Sequence, residues 1–349
     1  MTGLLLVNLG SPDAPTPAAV RRYLRQFLSD PRVVDINALA RWVLLHLVIL
    51  PLRPRRSAAA YASIWTARGS PLLYHSQDLA AAVRGRLPGW AVELGMRYGN
   101  PSIEDALGRL IAAGVERIVV FPLYPQYAAA STGSSIEEVF RVLGRRWVMP
   151  AVSIVEPFFD HPGFLRAWVA RGAPLLASSA PDHVLFSFHG LPERQVRRAA
   201  PPGSICLMRA DCCDEFGPTN RHCYRAQCFR TARLLAGQLG IPEDRCSVGF
   251  QSRLGRTPWI GPATESLIAE LARRGRRRLL VFCPAFVADC LETLEEVGIR
   301  GRQLFRASGG EELTLVPSLN AEREWVDAVI ELIGRQAERF APPPLATNH

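Results

Sequence analysis

The feature that most restricts how this chain can fold is a set of eight short, β-rich apolar runs separated by helical stretches, in two groups of four that mirror each other. The first group is 4–10 (LLLVNLG), 92–99, 117–124 and 152–158; the second is 183–190 (HVLFSFHG), 247–253, 278–286 and 313–318. Continuous apolar runs fit strands buried on both faces, and their alternation with helices fits parallel sheets covered by helices. The groups also correspond in detail. VNLGSP at 7–12 matches SFHGLP at 187–192, and GVERIVVFP at 114–122 matches GRRRLLVFCP at 275–284. The expected fold is therefore α/β: two Rossmann-like lobes, each with a four-stranded parallel sheet flanked by helices. The lobes are expected over 1–163 and 164–319, with a closing helix over 320–340 packed back on the first lobe and a Pro-rich, disordered tail over 341–349. Ligands of such sheets bind beyond the carboxyl ends of the strands. That rule puts Leu9 and Tyr124 on one side of an inter-lobe cleft and His189, Trp259 and Phe286 on the other.

Composition narrows the chemistry. All 41 basic residues are Arg, against 32 acidic ones, for a net charge of +9. Without Lys, Schiff-base and phosphate-loop lysine chemistry are excluded. Guanidinium forks suit carboxylate or phosphate ligands and an anionic membrane surface, and equally an ordinary solvated surface. No basic run interleaved with aromatics occurs, so nucleic acid is not an expected partner. The longest apolar stretch, 42–52 (WVLLHLVILPL), is shorter than the ~20 residues a membrane-spanning helix needs. No secretory leader is recognisable, so the chain is expected in the cytoplasm, where its eight cysteines would not form structural disulfides.

Five features carry candidate chemistry. His189 ends a strand before Gly190 and Pro192, which aims its imidazole at the cleft, either as a functional group or as a hydrogen-bonded structural one. In AFVADCLETLEEVGI (285–299), a helix would place Asp289, Glu292 and Glu296 on one face. Such a row can bind a divalent cation or relay protons; Asp289 can instead cap the helix, and the rest can be a solvated face. In YPQYAAASTGSSIEE (124–138), Ser134 or Ser135 with Glu137 or Glu138 fits an ordinary helix start. The stretch 42–52 is framed by Arg41 on one side and Arg53, Arg55 and Arg56 on the other, as in a segment lying in a bilayer interface or in a buried core helix. Finally, Cys206, Cys212, Cys213, Cys223 and Cys228 crowd a segment poor in apolar residues, as in a zinc or iron–sulfur site, although no C-x-x-C occurs.

Taken together, VNLGSP, GMRYGNPS (95–102), YPQYAAASTGSS, SFHGLP, QSRLGRTPWIGP (251–262) and FVADCLETLEEVGI resemble the ferrochelatase family in order and spacing over nearly the whole chain. The resemblance implies two chelatase-type lobes around a porphyrin cleft and insertion of Fe²⁺, as substrate, into protoporphyrin IX to give protohaem, the last step of haem biosynthesis. It implies that His189 is the active-site histidine and Glu292 its partner carboxylate, both candidate ligands for the incoming iron, with Asp289 and Glu296 along the metal or proton route. Arg53, Arg56, Tyr61 and Ser70 match positions that hold the propionates. Leu9, Arg97, Tyr98, Tyr124, Trp259 and Phe286 match cleft lining. Cys290 stands where some members carry a second His. Leu9 stands where members acting on coproporphyrin carry Tyr, and those members lack the apolar lip 42–52; both differences favour protoporphyrin IX. The Cys-rich segment 204–228 looks like the insertion of members that hold a [2Fe–2S] cluster, which would use four of its five thiols. An Arg-framed lip also implies peripheral contact with the inner face of a membrane, or with the enzyme of the preceding haem-pathway step. The alternatives are a related tetrapyrrole chelatase, and an iron–sulfur sensor or haem-binding protein.

Overall fold

The computed structural model describes residues 1–338 apart from 202, 203, 205, 210, 254 and 256, so the expected tail 341–349 lies outside the described residues. Each of the eight apolar runs overlaps one strand: β1 (Thr2–Asn8), β2 (Trp90–Met96), β3 (Arg117–Pro122), β4 (Ala151–Ile154), β5 (His183–His189), β6 (Cys246–Gln251), β7 (Arg278–Phe282) and β8 (Glu312–Leu315). They form two parallel four-stranded sheets ordered β2-β1-β3-β4 and β6-β5-β7-β8. The two orders are the same order. Several runs continue past their strand; the run 278–286 outlasts β7 by four residues, of which Cys283 and Phe286 pack with the core of the second lobe.

Side-chain alternation along the central strands explains the layers. Leu5 and Val7 of β1 pack with Ile103, Leu107 and Val139 in a core of the first lobe alone. Leu185 of β5 packs likewise with Ile268, Leu271 and Phe305 in the second. The opposite faces, Leu4 and Leu6 from β1 and Val184, Phe186 and Phe188 from β5, belong to one larger core common to both lobes. Helix Pro162–Ser179 runs through the expected lobe boundary at 163/164 and contributes Phe164 and Trp168 to that common core. The last helix, Arg323–Glu338, packs on Pro162–Ser179, on Pro71–Arg86 and on β3, with Trp325 fully buried.

The repeat extends to the connections. The Met96 amide bonds the Pro101 carbonyl after β2, and the Phe250 amide bonds the Pro262 carbonyl after β6. A π-helical segment follows β3 (Ala129–Gly133) and another follows β7 (Glu292–Gly301). Such i→i+5 segments are rare and gather at functional sites.

Candidate active site

His189 is the last residue of β5, and its ring is set by its immediate neighbours. Nδ1 lies 2.6 Å from the Gly190 carbonyl oxygen. A carbonyl only accepts, so Nδ1 carries the hydrogen and Nε2 presents a bare lone pair. The His189 carbonyl accepts from the Tyr224 hydroxyl at 2.8 Å, and Phe286 lies edge-on with its ring centre 6.3 Å from the imidazole. Burial lowers the pKa of His189, outweighing the Glu292 carboxylate and the Gly190 contact, which favour the charged form. The imidazole is therefore neutral. Gly190 has to be Gly: a Cβ there would stand 2.8 Å from the Gln251 carbonyl and 3.2 Å from the Trp259 ring.

The acidic segment reaches the same place by a different geometry from the α-helical row expected. Asp289 precedes the helix, and residues 292–301 wind as π-helix, so the three carboxylates do not share one helix face. The Asp289 carboxylate is 6 % exposed and fully engaged, accepting from the Ser318 amide, Asn320 Nδ2 and Thr293 Oγ1. It anchors the loop that launches the π-helix and is not open to the cleft. Gln251 Nε2 donates to the Glu292 carbonyl at 2.8 Å, while its own amide oxygen accepts from Ser187 Oγ, so strands β5 and β6 hold the first turn. Glu292 and Glu296 stay close: burial, and then the Glu292 charge, raise the Glu296 pKa to about 7, against opposition from Ser252 and Arg300. Ser252 Oγ donates to Glu296 at 2.6 Å and Arg300 lies 3.4 Å away. The Cys290 thiol beside them is pushed up by burial and by Glu292, so it stands as a neutral thiol.

The facing wall comes from the first lobe. A small cavity of about 20 Å³ is bounded by Leu9, Gly10, Tyr23, Tyr61 and Ser70 on that side and by Cys290, Leu291 and Glu292 on the other. Burial and the nearby Glu292 charge keep the Tyr61 phenol protonated, and Tyr23, next to Tyr61, is held likewise. Leu9, Tyr61, Ser70 and Glu292 thus meet at one inter-lobe cavity, and His189 and Glu296, which do not line it, each stand near enough to Glu292 to feel its charge. Tyr23 was missed, because an aromatic on the amphipathic helix Pro17–Ser29 reads as core.

This geometry can be set beside known proteins. The Ferrochelatase family model matches residues 1–337. The chain belongs to the ferrochelatase family. Ferrochelatase from Azotobacter vinelandii is 52 % identical over 331 residues, covering 94 % of this chain and 97 % of its own. Ferrochelatase from Pseudomonas fluorescens is 49 % identical over 333 residues, with 95 % and 97 % covered, and that of Coxiella burnetii 45 % over 339 residues, with 97 % and 94 %. Among solved structures, SirB from Bacillus subtilis with Fe³⁺ aligns with TM-score 0.53 at 14 % identity, covering 96 % of this chain and 95 % of that one. The sirohydrochlorin chelatase SirB in complex with cobalt aligns with TM-score 0.55 at 12 % identity, covering 97 % and 96 %. These share the two-lobed fold. The chain's activity is that of a ferrochelatase, a lyase that inserts iron into a porphyrin to give protohaem.

Three expected features of this ferrochelatase sit differently from the sequence reading. Arg97 and Tyr98 do not line the cavity: both bind Asp30, at 2.7 and 2.8 Å, and Tyr98 is fully buried. Ser134 does not cap a helix; Gly133 stands at that position in helical conformation, while Ser134 Oγ donates to Asp30 and accepts from Arg97 Nε. The carboxylate of Asp30, which organises this buried network, accepts locally from the Arg32 amide, and its side-chain partners Arg97, Tyr98 and Ser134 lie 67 to 104 residues away. Tyr124 is part-buried against Ser135.

The lip is a continuous helical arm, 38–64, with a π-helical middle at Leu44–Ile49. Leu39, Trp42, Leu47 and Leu52 are 72, 53, 64 and 73 % exposed, which overturns a buried core helix. Arg53, Arg55 and Arg56 project from it into solvent. No helix among the described residues is long and apolar enough to cross a membrane.

In the Cys-rich segment the sulfurs approach in pairs: Cys206 to Cys223 at 3.9 Å and Cys212 to Cys213 at 3.7 Å, with Cys228 fully buried nearby. Two thiolates on one tetrahedral metal at about 2.3 Å stand about 3.8 Å apart, so each pair has a fitting span. Among the described residues no group of three or more His, Cys, Asp or Glu is arranged to hold a metal ion.

Proposed function

We propose that this ferrochelatase metallates protoporphyrin IX with His189 as the proton acceptor and Glu292 and Glu296 as the path by which protons leave. The observation that carries the reading is a neutral imidazole with an unshared Nε2, within the influence of Glu292, which lines the inter-lobe cavity. Entry of Fe²⁺ requires the ring to bend and its two pyrrole N–H protons to depart. A buried, neutral His accepts a proton where water cannot compete. Once charged it is stabilised by Glu292, and Glu296, with its pKa near 7, exchanges the proton outward past Ser252 and Arg300. Trp259 and Phe286 form the rigid wall against the ring. Arg53 and Arg56 would meet the propionates from the arm and Tyr61 and Ser70 from inside. Leu9 and the apolar arm suit the less polar protoporphyrin over coproporphyrin. Metallation is followed by the absorption change of protoporphyrin with zinc or ferrous iron. His189→Ala is expected to abolish insertion while porphyrin binding persists; wild-type turnover in that variant removes the role.

Four of Cys206, Cys212, Cys213, Cys223 and Cys228 would hold a [2Fe–2S] cluster, supported by the five gathered thiols and the spans of the two pairs. Such a cluster would order the segment and supply one-electron redox sensitivity. Iron and acid-labile sulfide analysis with a visible spectrum of fresh protein tests it, and colourless, sulfide-free protein made under anaerobic conditions rejects it. The exposed arm, with its free guanidinium groups, would rest on the inner face of a membrane and collect porphyrin there.

A further inference from the structure

The arm is joined to the first lobe by the loop 30–37, and this loop is gripped from both lobes. At one end Asp30 is tied to Arg97, Tyr98 and Ser134 of the first lobe. At the other end Asn37 caps the helix Ala38–Val43, and Arg41 Nη1 donates back to the Val34 and Ile36 carbonyls, so loop and arm move together. Between them Asp35 crosses to the second lobe. Its Oδ1 accepts from Arg194 Nε at 2.8 Å and from Gln195 Nε2 at 3.1 Å, and its Oδ2 lies 3.5 Å from Arg198 Nη1. Gln195 Nε2 also lies within reach of the Arg32 and Val33 carbonyls. Arg194, Gln195 and Arg198 sit on the helix Glu193–Arg198, which begins four residues after His189 and is pinned to the Trp259 wall through the Glu193 amide on the Pro258 carbonyl.

We propose that Asp35 is a positioning residue that latches the mouth of the cleft, fixing the porphyrin-side arm against the segment that carries His189. It touches neither porphyrin nor iron. A second polar bridge between the lobes joins Gln126 to Thr231 through a buried bond and the Tyr127 amide to Gln227 through a part-buried one. The Asp35 bridge is different. The Asp35 side chain is 6 % exposed but Arg194 is 37 % and Arg198 73 % exposed, so water can replace the cations one at a time and the latch can open without unfolding either lobe.

The inference rests on the porphyrin reading of the cleft. Its test is a double-mutant cycle on Asp35→Asn and Arg194→Gln, reading porphyrin Kd by fluorescence without metal, then KM and kcat for zinc insertion, then thermal unfolding. Each single variant is expected to raise porphyrin Kd and KM about tenfold with kcat within about twofold, and the double variant to be no worse than either single, since both remove one interaction. A purely structural role would lower the unfolding temperature and leave the split between KM and kcat absent. Unshifted Kd and KM in both singles, or fully additive losses, overturns the latch. Should Asp35→Asn fail to fold, Arg194→Gln, made from the solvent side, decides alone. If wild-type protein binds no porphyrin at all, the reading of the cleft has failed; if it binds and the variants match it, only the latch has.

Discussion

Glu296 offers the sharpest test of the proton path, through a neighbour that takes no proton itself. Ser252 Oγ donates to the Glu296 carboxylate at 2.6 Å and so favours its charged form against burial and the Glu292 charge. A hydrogen bond to a charged group contributes about 1.5–3 kcal/mol. Water can partly replace the serine hydroxyl at a side chain 20 % exposed, so about 1.4 kcal/mol, or one pKa unit, is a fair expectation for Ser252→Ala. The Glu296 pKa would move from about 7 to roughly one unit higher. At pH 7 the ionised fraction then falls from about one half to about one tenth, a fivefold loss. If ionised Glu296 must be ready to accept the outgoing proton, the acid limb of the kcat profile moves alkaline by about one unit, and activity returns to near wild type by about pH 9. Porphyrin absorption followed over a pH series measures this directly. An acid limb that stays in place, or moves to lower pH, refutes Glu296 as the group whose ionisation gates the reaction.

Two further outcomes follow from the same site and from the arm. Because the folded-state pKa of Glu296 is raised from its ordinary 4.5 to about 7, the stability it contributes is full below about pH 4.5 and is lost as pH rises to about 7, by roughly 3 kcal/mol. Glu296→Gln is therefore expected to be the more stable protein in denaturant unfolding at about pH 8 and no better at about pH 4; an equal difference at both would show that the carboxyl is not strained by burial. Replacing Arg53, Arg55 and Arg56 with Gln is expected to weaken binding to anionic liposomes by about 1 kcal/mol per charge and to raise porphyrin KM, and no change in either would take the arm out of membrane collection.

Much of the scaffold was legible because it is written in local patterns. Buried parallel strands need unbroken apolar runs, and eight such runs marked eight strands, although the ends of the runs and of the strands differ by up to four residues. The repeated Gly after β1 and β5 was legible too, and the structure shows why: a Cβ on Gly10 would strike the Tyr98 carbonyl, and one on Gly190 the Gln251 carbonyl. What stayed hidden was set by distant partners. An Arg and a Tyr at a strand end, 97 and 98, look like ligands until Asp30 is found beneath them. Asp35 looks like any loop acid. A π-helix has no residue pattern of its own, so the spacing of 289, 292 and 296 was read on the α-helical period, which misplaced Asp289.

The equivalence of the halves makes their differences informative. In the matched motifs, Leu9 occupies in the first lobe the place that His189 takes in the second. The matched π-helical segments diverge in the same sense: AASTG after β3 offers small side chains, whereas ETLEEVGIRG after β7 brings Glu292 and Glu296. One backbone plan therefore builds two unlike walls. The first-lobe wall around the cavity is uncharged, built from Leu9, Tyr23, Tyr61 and Ser70, and suited to the flat face of a ring; the second holds every group in the proposed proton path. A ring clasped between them would have a single chemically active face, the one toward β5 and β7. That one-sidedness requires the proton acceptor and the exit carboxylates to belong to one lobe, so opening at the Asp35 latch can admit a ring and release it without separating His189 from Glu292.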